Sequence, residues 1–379
     1  ISPGISFKEP NLKIFLKKNI SVYRDLEIFI RNINPKKLIA VTGTNGKSTT
    51  VSLIGNLLLK KEKKVFVGGN LNPPLLDSLR NKKFKKYVVE LSSFQLEAAP
   101  TFESYISVLL NISKDHLDRY KNLKQYSKVK NNIFKNLTKE QYAIIGIDDK
   151  YSNSIYKKLN NNSKKIIPIS INKYLKSGIY FRKGQIIDNY FKNKPLKIRN
   201  HNHINLQNIL ATYTVAKILN YGNNSIKNII DNFKSLKHRS EIIYRDKKLL
   251  IVNDSKATNI SSALESIKKF KEIYLILGGR LKQKKYNQLL HTKNLKKIYI
   301  IGESTEYLYN NIHKKIKCEK SLNMKNAVKN SLKDTYKNKF STILLAPACA
   351  SFDQYVNFEQ RGKHFVTLVK KYNRKNKIK

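Results

Sequence analysis

Tryptophan is absent from this sequence, methionine occurs once, and cysteine only at Cys318 and Cys349. With no CxxC pair and no paired histidine cluster, a disulfide framework and a zinc site are both excluded. No apolar run approaches the roughly 18 residues that a membrane-spanning helix needs, so membrane insertion is not expected. The opening ISPGISFKEP lacks the basic-then-apolar layout of a secretory signal. A reducing, cytoplasmic setting follows.

Acidic residues are scarce, with 26 Asp and Glu against 75 Lys and Arg and a formal charge of +49. Such a charge suggests nucleic acid, yet only 11 of the 75 cations are arginine. Arginine is the usual reader of bases and the better bidentate ligand for phosphate. The lysines are spread along the whole chain among Asn and Ile, which describes a biased surface and not a binding stripe. No specific nucleic-acid partner is expected.

What is present is alternation. Short β-branched runs at Leu38–Thr42, Val65–Val67, Tyr87–Leu91, Ile106–Asn111 and Ala143–Ile147 alternate with helix-like stretches. This pattern reads as α/β with a mostly parallel sheet. The polar, Asn/Lys-rich stretch 148–202 predicts smaller antiparallel strands. NLQNILATYTVAKIL predicts a helix with an apolar stripe. A second α/β pattern begins near His238, with strands expected at Leu249–Val252, Ile273–Leu277, Lys297–Ile301 and Thr342–Leu345, and suggests a Rossmann-like domain. The boundary falls near Leu236. Before Asp25 the chain offers only a helix-like stretch over Asn11–Lys18 and a short apolar piece.

Chemistry concentrates at strand ends. VTGTNGKSTT, residues 41–50, is a glycine-rich turn between a strand and a helix. It departs from GxxxxGK[ST] at its first position, Val41. What it keeps is Gly43, Asn45, Gly46, Lys47 and Ser48, enough for backbone N–H groups to cradle phosphate. Lys47 would reach the terminal phosphates and Ser48 a Mg²⁺ ion. Glu90 ends an apolar strand, where a Mg²⁺-binding acid would sit, and Asp115, His116 and Asp118 follow the next. In the second half, Asp254, Lys256 and Thr258, then Gly278-Gly279 with Lys282, then Ser351, each lie just past a strand. Any one of these suits an ordinary turn. Three converging on one crevice suit a small anionic substrate.

TGTNGKST, GGNLNPPLL, ELSSFQLE, LNISKDHLDRY, HRSEII, NDSKATN, LGGR and APACASFDQYVNFEQRG, in this order, resemble the Mur ligases across almost the whole chain. NDSKATN and SFDQYVNFEQRG resemble the branch that adds D-glutamate. The resemblance implies an ATP-dependent bacterial ligase of peptidoglycan synthesis that joins UDP-N-acetylmuramoyl-L-alanine to D-glutamate through an acyl phosphate. It implies a central ATP-binding domain at 26–236 and a C-terminal amino-acid-binding domain at 237–379. Residues 1–25 would be the remnant of an N-terminal uridine-binding domain, and the protein would be a monomer.

Carried onto this sequence, the resemblance gives ATP to Gly43, Thr44, Asn45, Gly46, Lys47, Ser48 and Thr49. Asn208, Arg239 and Asp254 would contact adenine, phosphate and ribose. Two Mg²⁺ ions would involve Ser48, Glu90, His116 and Lys130, the last as a carbamylated lysine. Lys47, His116 and Lys130 would be catalytic. Gly4, Asn70 and His116 would meet the UDP-linked substrate, and Lys256, Thr258, Lys282, Ser351 and Phe358 the D-glutamate. Two positions depart from the family pattern. Ile204 stands where G-x-H-N-x-x-N has His, which leaves a second register, His201-Asn202-x-x-Asn205, open. Arg280, the last residue of LGGR, stands where the family often has an acid two residues before the lysine, here Lys282. Alternatives are a sister ligase or folylpolyglutamate synthase with another amino acid, a nucleic-acid-stimulated ATPase, and an ATP-binding remnant without turnover.

Overall fold

The computed structural model describes residues 1–376 except 6–8, 10–14, 16, 17, 19, 81–83, 118, 161–164, 199–203, 234, 235, 282–285 and 337. Most of the helix expected over Asn11–Lys18, and the acid at Asp118, therefore lie outside the described residues. By its internal contacts the chain divides into two compact units, Ile1–Phe233 and Lys234–Lys379.

The first unit is built on strands β1 (Leu38–Thr42), β2 (Val65–Gly69), β3 (Lys86–Glu90), β4 (Ile106–Leu109), β5 (Tyr142–Gly146), β6 (Lys165–Ser170), β7 (Ile179–Arg182), β8 (Gln185–Asp188) and β9 (Asn193–Lys197). Their order in the sheet is β2-β3-β1-β4-β5-β6-β7-β8-β9. Neighbours from β2 through β7 run parallel, and β7-β8-β9 form an antiparallel extension. β1 is buried along all five residues, because helices cover both faces of a parallel sheet and leave no room for a polar alternation. Stretch 148–202 is thus only partly antiparallel. It opens with a helix, Lys150–Leu159, and a parallel strand β6. Asp149 starts that helix by accepting from the Tyr151 and Ser152 amides, a capping signal that the polar composition hid.

Helix Leu206–Ile218 packs against helix Lys47–Leu59. It is buried on nearly every side and not along one stripe. Its threonines fit this setting because Thr212 and Thr214 donate to the Asn208 and Leu210 carbonyls. Helix Asp25–Arg31 is a further element that the sequence reading did not assign. It buries Leu26, Phe29 and Ile30.

The second unit carries β10 (Glu241–Arg245), β11 (Leu249–Asn253), β12 (Ile273–Gly278), β13 (Leu295–Ile301), β14 (Cys318–Leu322) and β15 (Ser341–Leu345), ordered β10-β11-β15-β12-β13-β14. Only β10 is antiparallel to its neighbour. Alternate residues feed two cores. Ile298, Ile300 and Leu344 join one, while Tyr299, Ile301, Ile343 and Leu345 join the other. A period of two with both faces apolar is the signature of a sheet sandwiched between helix layers.

Gly55 lets helix Lys47–Leu59 lie close to β2, since a Cβ there would stand 2.6 Å from Val67 Cγ2. Alanine favours a helix interior by ~1 kcal/mol over glycine, but overpacking costs about 1–3 kcal/mol. Gly55→Ala should therefore lower the urea midpoint. In a Val67→Ala background the same change should raise it.

Candidate active site

The phosphate loop owes its shape to two glycines and to β4. After β1, Gly43 takes a φ of +155°, and a side chain there would press on Leu110 and Asn111. Gly46 takes a φ of +87° immediately before the helix, a left-handed turn that favours glycine. The Thr44 amide donates to the Asn111 carbonyl (2.8 Å) and the Asn45 amide to Asn111 Oδ1 (2.9 Å). Lys47 Nζ lies back across the loop, donating to the Gly43 and Thr44 carbonyls at 2.9 and 2.8 Å. Ser48 is buried in the first helical turn and Thr49 beside it is half-buried.

Glu90 stands at the end of β3, next to β1 in the sheet. Its two oxygens accept from Ser48 Oγ and from Asn70 Nδ2, the latter at 2.8 Å. A hydroxyl and a carboxylate side by side at a phosphate loop suit Mg²⁺, which keeps several waters and takes few protein ligands. Among the described residues no group of three or more His, Cys, Asp or Glu side chains forms a metal site. Asn208 lies against the loop: a side chain at Gly46 would collide with Asn208 Oδ1. Asn205 caps its helix by accepting from the Gln207 amide. The alternative register falls on His201 and Asn202, outside the described residues.

Lys130 is 1% exposed. Its Nζ donates to the Gly43 carbonyl at 2.9 Å and lies 3.3 Å from Thr42 Oγ1, 4.8 Å above the Tyr126 ring. Burial, and next the Lys47 charge, hold this amine well below the ordinary lysine value, with Asp115 and Glu90 opposing. His116, at a φ of +52°, faces Asp115 at 3.7 Å and packs edge-on to Phe94, ring centres 4.8 Å apart. Tyr126 escaped the sequence reading, although it lies four residues before Lys130 and so on the same helix face. Its hydroxyl is 3.4 Å from Thr44 Oγ1.

In the second unit β11, β15 and β12 are adjacent and parallel, so the segments after Asn253, Leu345 and Gly278 leave one edge together. Asp254 is buried, bonded by the Ser266 hydroxyl, and burial raises its pKa. Arg239 lies between His238 and Ser240, both at positive φ. The Lys256 ammonium sits 3.7 Å over the Phe358 ring. Thr258 is half-buried and Ser351 is buried. Arg361, not foreseen, ties these segments together. It donates to Ser255 Oγ (3.0 Å), the Ser255 carbonyl (2.9 Å) and the Cys349 carbonyl (3.2 Å). Arg280 pairs with Glu303 at 3.1 Å, and Lys282 lies outside the described residues.

A phosphate loop in one α/β unit and a three-strand edge in a second define a nucleotide-binding α/β protein. Residues 41–216 match the Mur ligase middle domain. Relatives named UDP-N-acetylmuramoylalanine–D-glutamate ligase from Rickettsia bellii and Rickettsia prowazekii are 36% and 38% identical, each alignment covering 98% of this chain and 84% of the relative. The chain belongs to the Mur ligase family. Its fold is that of a MurF ligase from Thermotoga maritima solved in complex with ADP, with a TM-score of 0.70 at 19% identity, covering 93% of this chain and 83% of that one. No described helix is long and apolar enough to cross a membrane.

The depressed Lys130 amine makes stability depend on pH. The unfolded chain holds this proton up to the lysine value of 10.5, and folding releases it above the lower native value. Between these two values the unfolded state binds more protons, so stability rises with pH. In CO₂-free buffer, wild type should gain stability relative to Lys130→Met as pH is raised from about 7 to about 9. Parallel unfolding curves at both pH values would mean that Lys130 titrates as a surface lysine.

Proposed function

We propose that this chain uses ATP to join the carboxylate of UDP-N-acetylmuramoyl-L-alanine to the amine of D-glutamate, a step of peptidoglycan synthesis in the bacterial cytoplasm. The observation that carries this reading is the extent of the relationship: the match to D-glutamate-adding relatives runs through both units, not only the phosphate-loop unit. The chemistry is consistent with it. A carboxylate is a poor electrophile, so its oxygen attacks the γ-phosphorus of ATP, forming an acyl phosphate and releasing ADP. The D-glutamate amine then attacks the acyl carbon, a proton leaves the nitrogen, and inorganic phosphate departs.

Each residue has work that its surroundings support. The Gly43–Ser48 amides and the helix N-terminus hold phosphate oxygens. Lys47 leaves the Gly43 and Thr44 carbonyls to neutralise charge on the transferring phosphoryl group. Asn208, beside Gly46, would contact the adenine, and Arg239 and Asp254 the phosphate and ribose. Ser48, Glu90 and His116 would hold Mg²⁺, which when bound offsets the crowded negative charge. Lys130 in its neutral form is nucleophilic toward CO₂, and its carbamate would add an anionic oxygen donor there. Asn70 and Gly4 meet the UDP-linked substrate. Lys256, Thr258, Lys282, Ser351 and the Phe358 backbone receive D-glutamate.

The deciding assay is phosphate release with ATP, Mg²⁺, UDP-N-acetylmuramoyl-L-alanine and each of a panel of amino acids. D-glutamate should support it, and L-glutamate poorly, because inversion at Cα prevents both carboxylates and the amine from reaching their partners together. Release independent of the amino acid, or driven by DNA or RNA, would overturn the reading.

Lys47→Ala should lower phosphate release about 10²–10³-fold, the usual loss for one transition-state donor. Near-normal turnover would remove the loop from the mechanism. Ser351→Ala or Lys256→Ala should weaken D-glutamate use by about 1.5–3 kcal/mol, a charge-assisted hydrogen bond, while the KM for ATP holds. Equal damage to both substrates would instead signal misfolding.

A further inference from the structure

Arg24 and Arg119 meet around Glu97 in the first unit, and the sequence reading used none of the three. Arg24 is fully buried. It donates to the carbonyls of Pro3 (2.6 Å), Ile5 (2.9 Å) and Phe94 (2.5 Å) and pairs with Glu97 at 3.1 Å. Arg119 donates to the carbonyls of Pro3 (3.3 Å), Gly4 (3.0 Å) and Ile5 (3.3 Å) and grips both Glu97 oxygens, at 3.3 and 2.7 Å. Its guanidinium lies 4.1 Å over the Phe94 ring, whose edge meets His116.

Three consecutive carbonyls are thus drawn to one side by two planar forks. In a trans peptide the C=O and the following N–H point in opposite directions. The Gly4 and Ile5 amides therefore face away from the guanidiniums, and the Ile5 amide closes the turn on the Ser2 carbonyl at 3.1 Å. Among the described residues other than its chain neighbours, a Cβ at Gly4 would find only Ser2 Oγ, at 4.0 Å. Two cations sharing one carboxylate leave positive charge beneath this turn, which favours an anion on its open side.

We propose that Arg24 and Arg119 are positioning residues, a clamp that fixes the Pro3–Ile5 carbonyls so that the Gly4 amide edge receives an anionic group of the nucleotide substrate. The substrate named here rests on the function proposed above. The clamp also couples this turn to His116, through Phe94, and to helix Asp25–Arg31, which is bonded to the same loop by Gln95 donating to Asp25 at 2.8 Å. Arginine suits this task because its planar fork spreads five donors over three nitrogens and can hold several carbonyls and the Glu97 carboxylate together, whereas a lysine offers three donors from a single nitrogen.

Arg119→Lys and Arg24→Lys in the chain as it stands keep the charge opposite Glu97 and remove the forks. Each should raise the KM for UDP-N-acetylmuramoyl-L-alanine about tenfold or more while the KM for ATP stays within about twofold, and should speed hydrogen exchange at the Ile5 amide, which donates to the Ser2 carbonyl. An unchanged KM for the UDP-linked substrate, or an equal rise for ATP, overturns the proposal. Should wild type turn over no UDP-linked substrate, the functional reading fails by itself. Exchange then decides the clamp: an equal rate at the Ile5 amide in wild type and variants overturns it.

Discussion

The burial of one amine sets the terms for the rest of the first unit. Placing Lys130 almost out of solvent against the Gly43 carbonyl costs free energy that a charged ammonium could not recover there, with Lys47 close by. A buried amine in that position escapes by losing its proton. The Gly43 carbonyl of the loop accepts from this amine, and Lys47 donates to the same carbonyl and to that of Thr44. Thr42, Gly43, Thr44 and Tyr126 all take their places around this amine. A neutral amine is also the form that reacts with CO₂, so the same burial that costs stability prepares the proposed carbamate.

The two sheets deliver their functional side chains by one rule. In each, parallel strands end at a common edge, and loops leaving adjacent strands converge there. β3, β1 and β4 bring Glu90, the phosphate loop and Asn111 together. β11, β15 and β12 do the same for the segments after Asn253, Leu345 and Gly278, with β15 inserted between strands that are consecutive in sequence. Arg361 is the second unit's counterpart to the Arg24–Arg119 pair. In both, a buried guanidinium organises carbonyls from separate loops, a task suited to its planar set of donors.

Legibility followed burial. β1, β11 and β12 could be read almost to the residue because a strand covered on both faces is a continuous apolar run. β10 and β14 escaped notice because they are edge strands: EIIYR is half-exposed and CEKSL is largely polar. Helix Lys150–Leu159 packs Tyr151, Ile155, Tyr156 and Leu159 on the core, but fully buries only Ser152 and Ile155, and these residues are spaced among lysines and asparagines. Lys47, Ser48 and Glu90 announced themselves by their place after strands. Lys130 did not: a lysine inside YSKVKNNIF among 75 cations has no local signal of burial, and only the family resemblance singled it out. Arg24, Arg119 and Arg361 bond to carbonyls far along the chain, and carbonyls leave no mark in a sequence.

The central claim is that Lys130 is a neutral amine able to carry CO₂. Carbon-13 NMR of the protein equilibrated with labelled bicarbonate tests it most directly, with Lys130→Arg as the reference. The account predicts a slowly exchanging carbamate signal in wild type at neutral pH that is missing from the variant. No signal in wild type, or the same signal in both proteins, would contradict it.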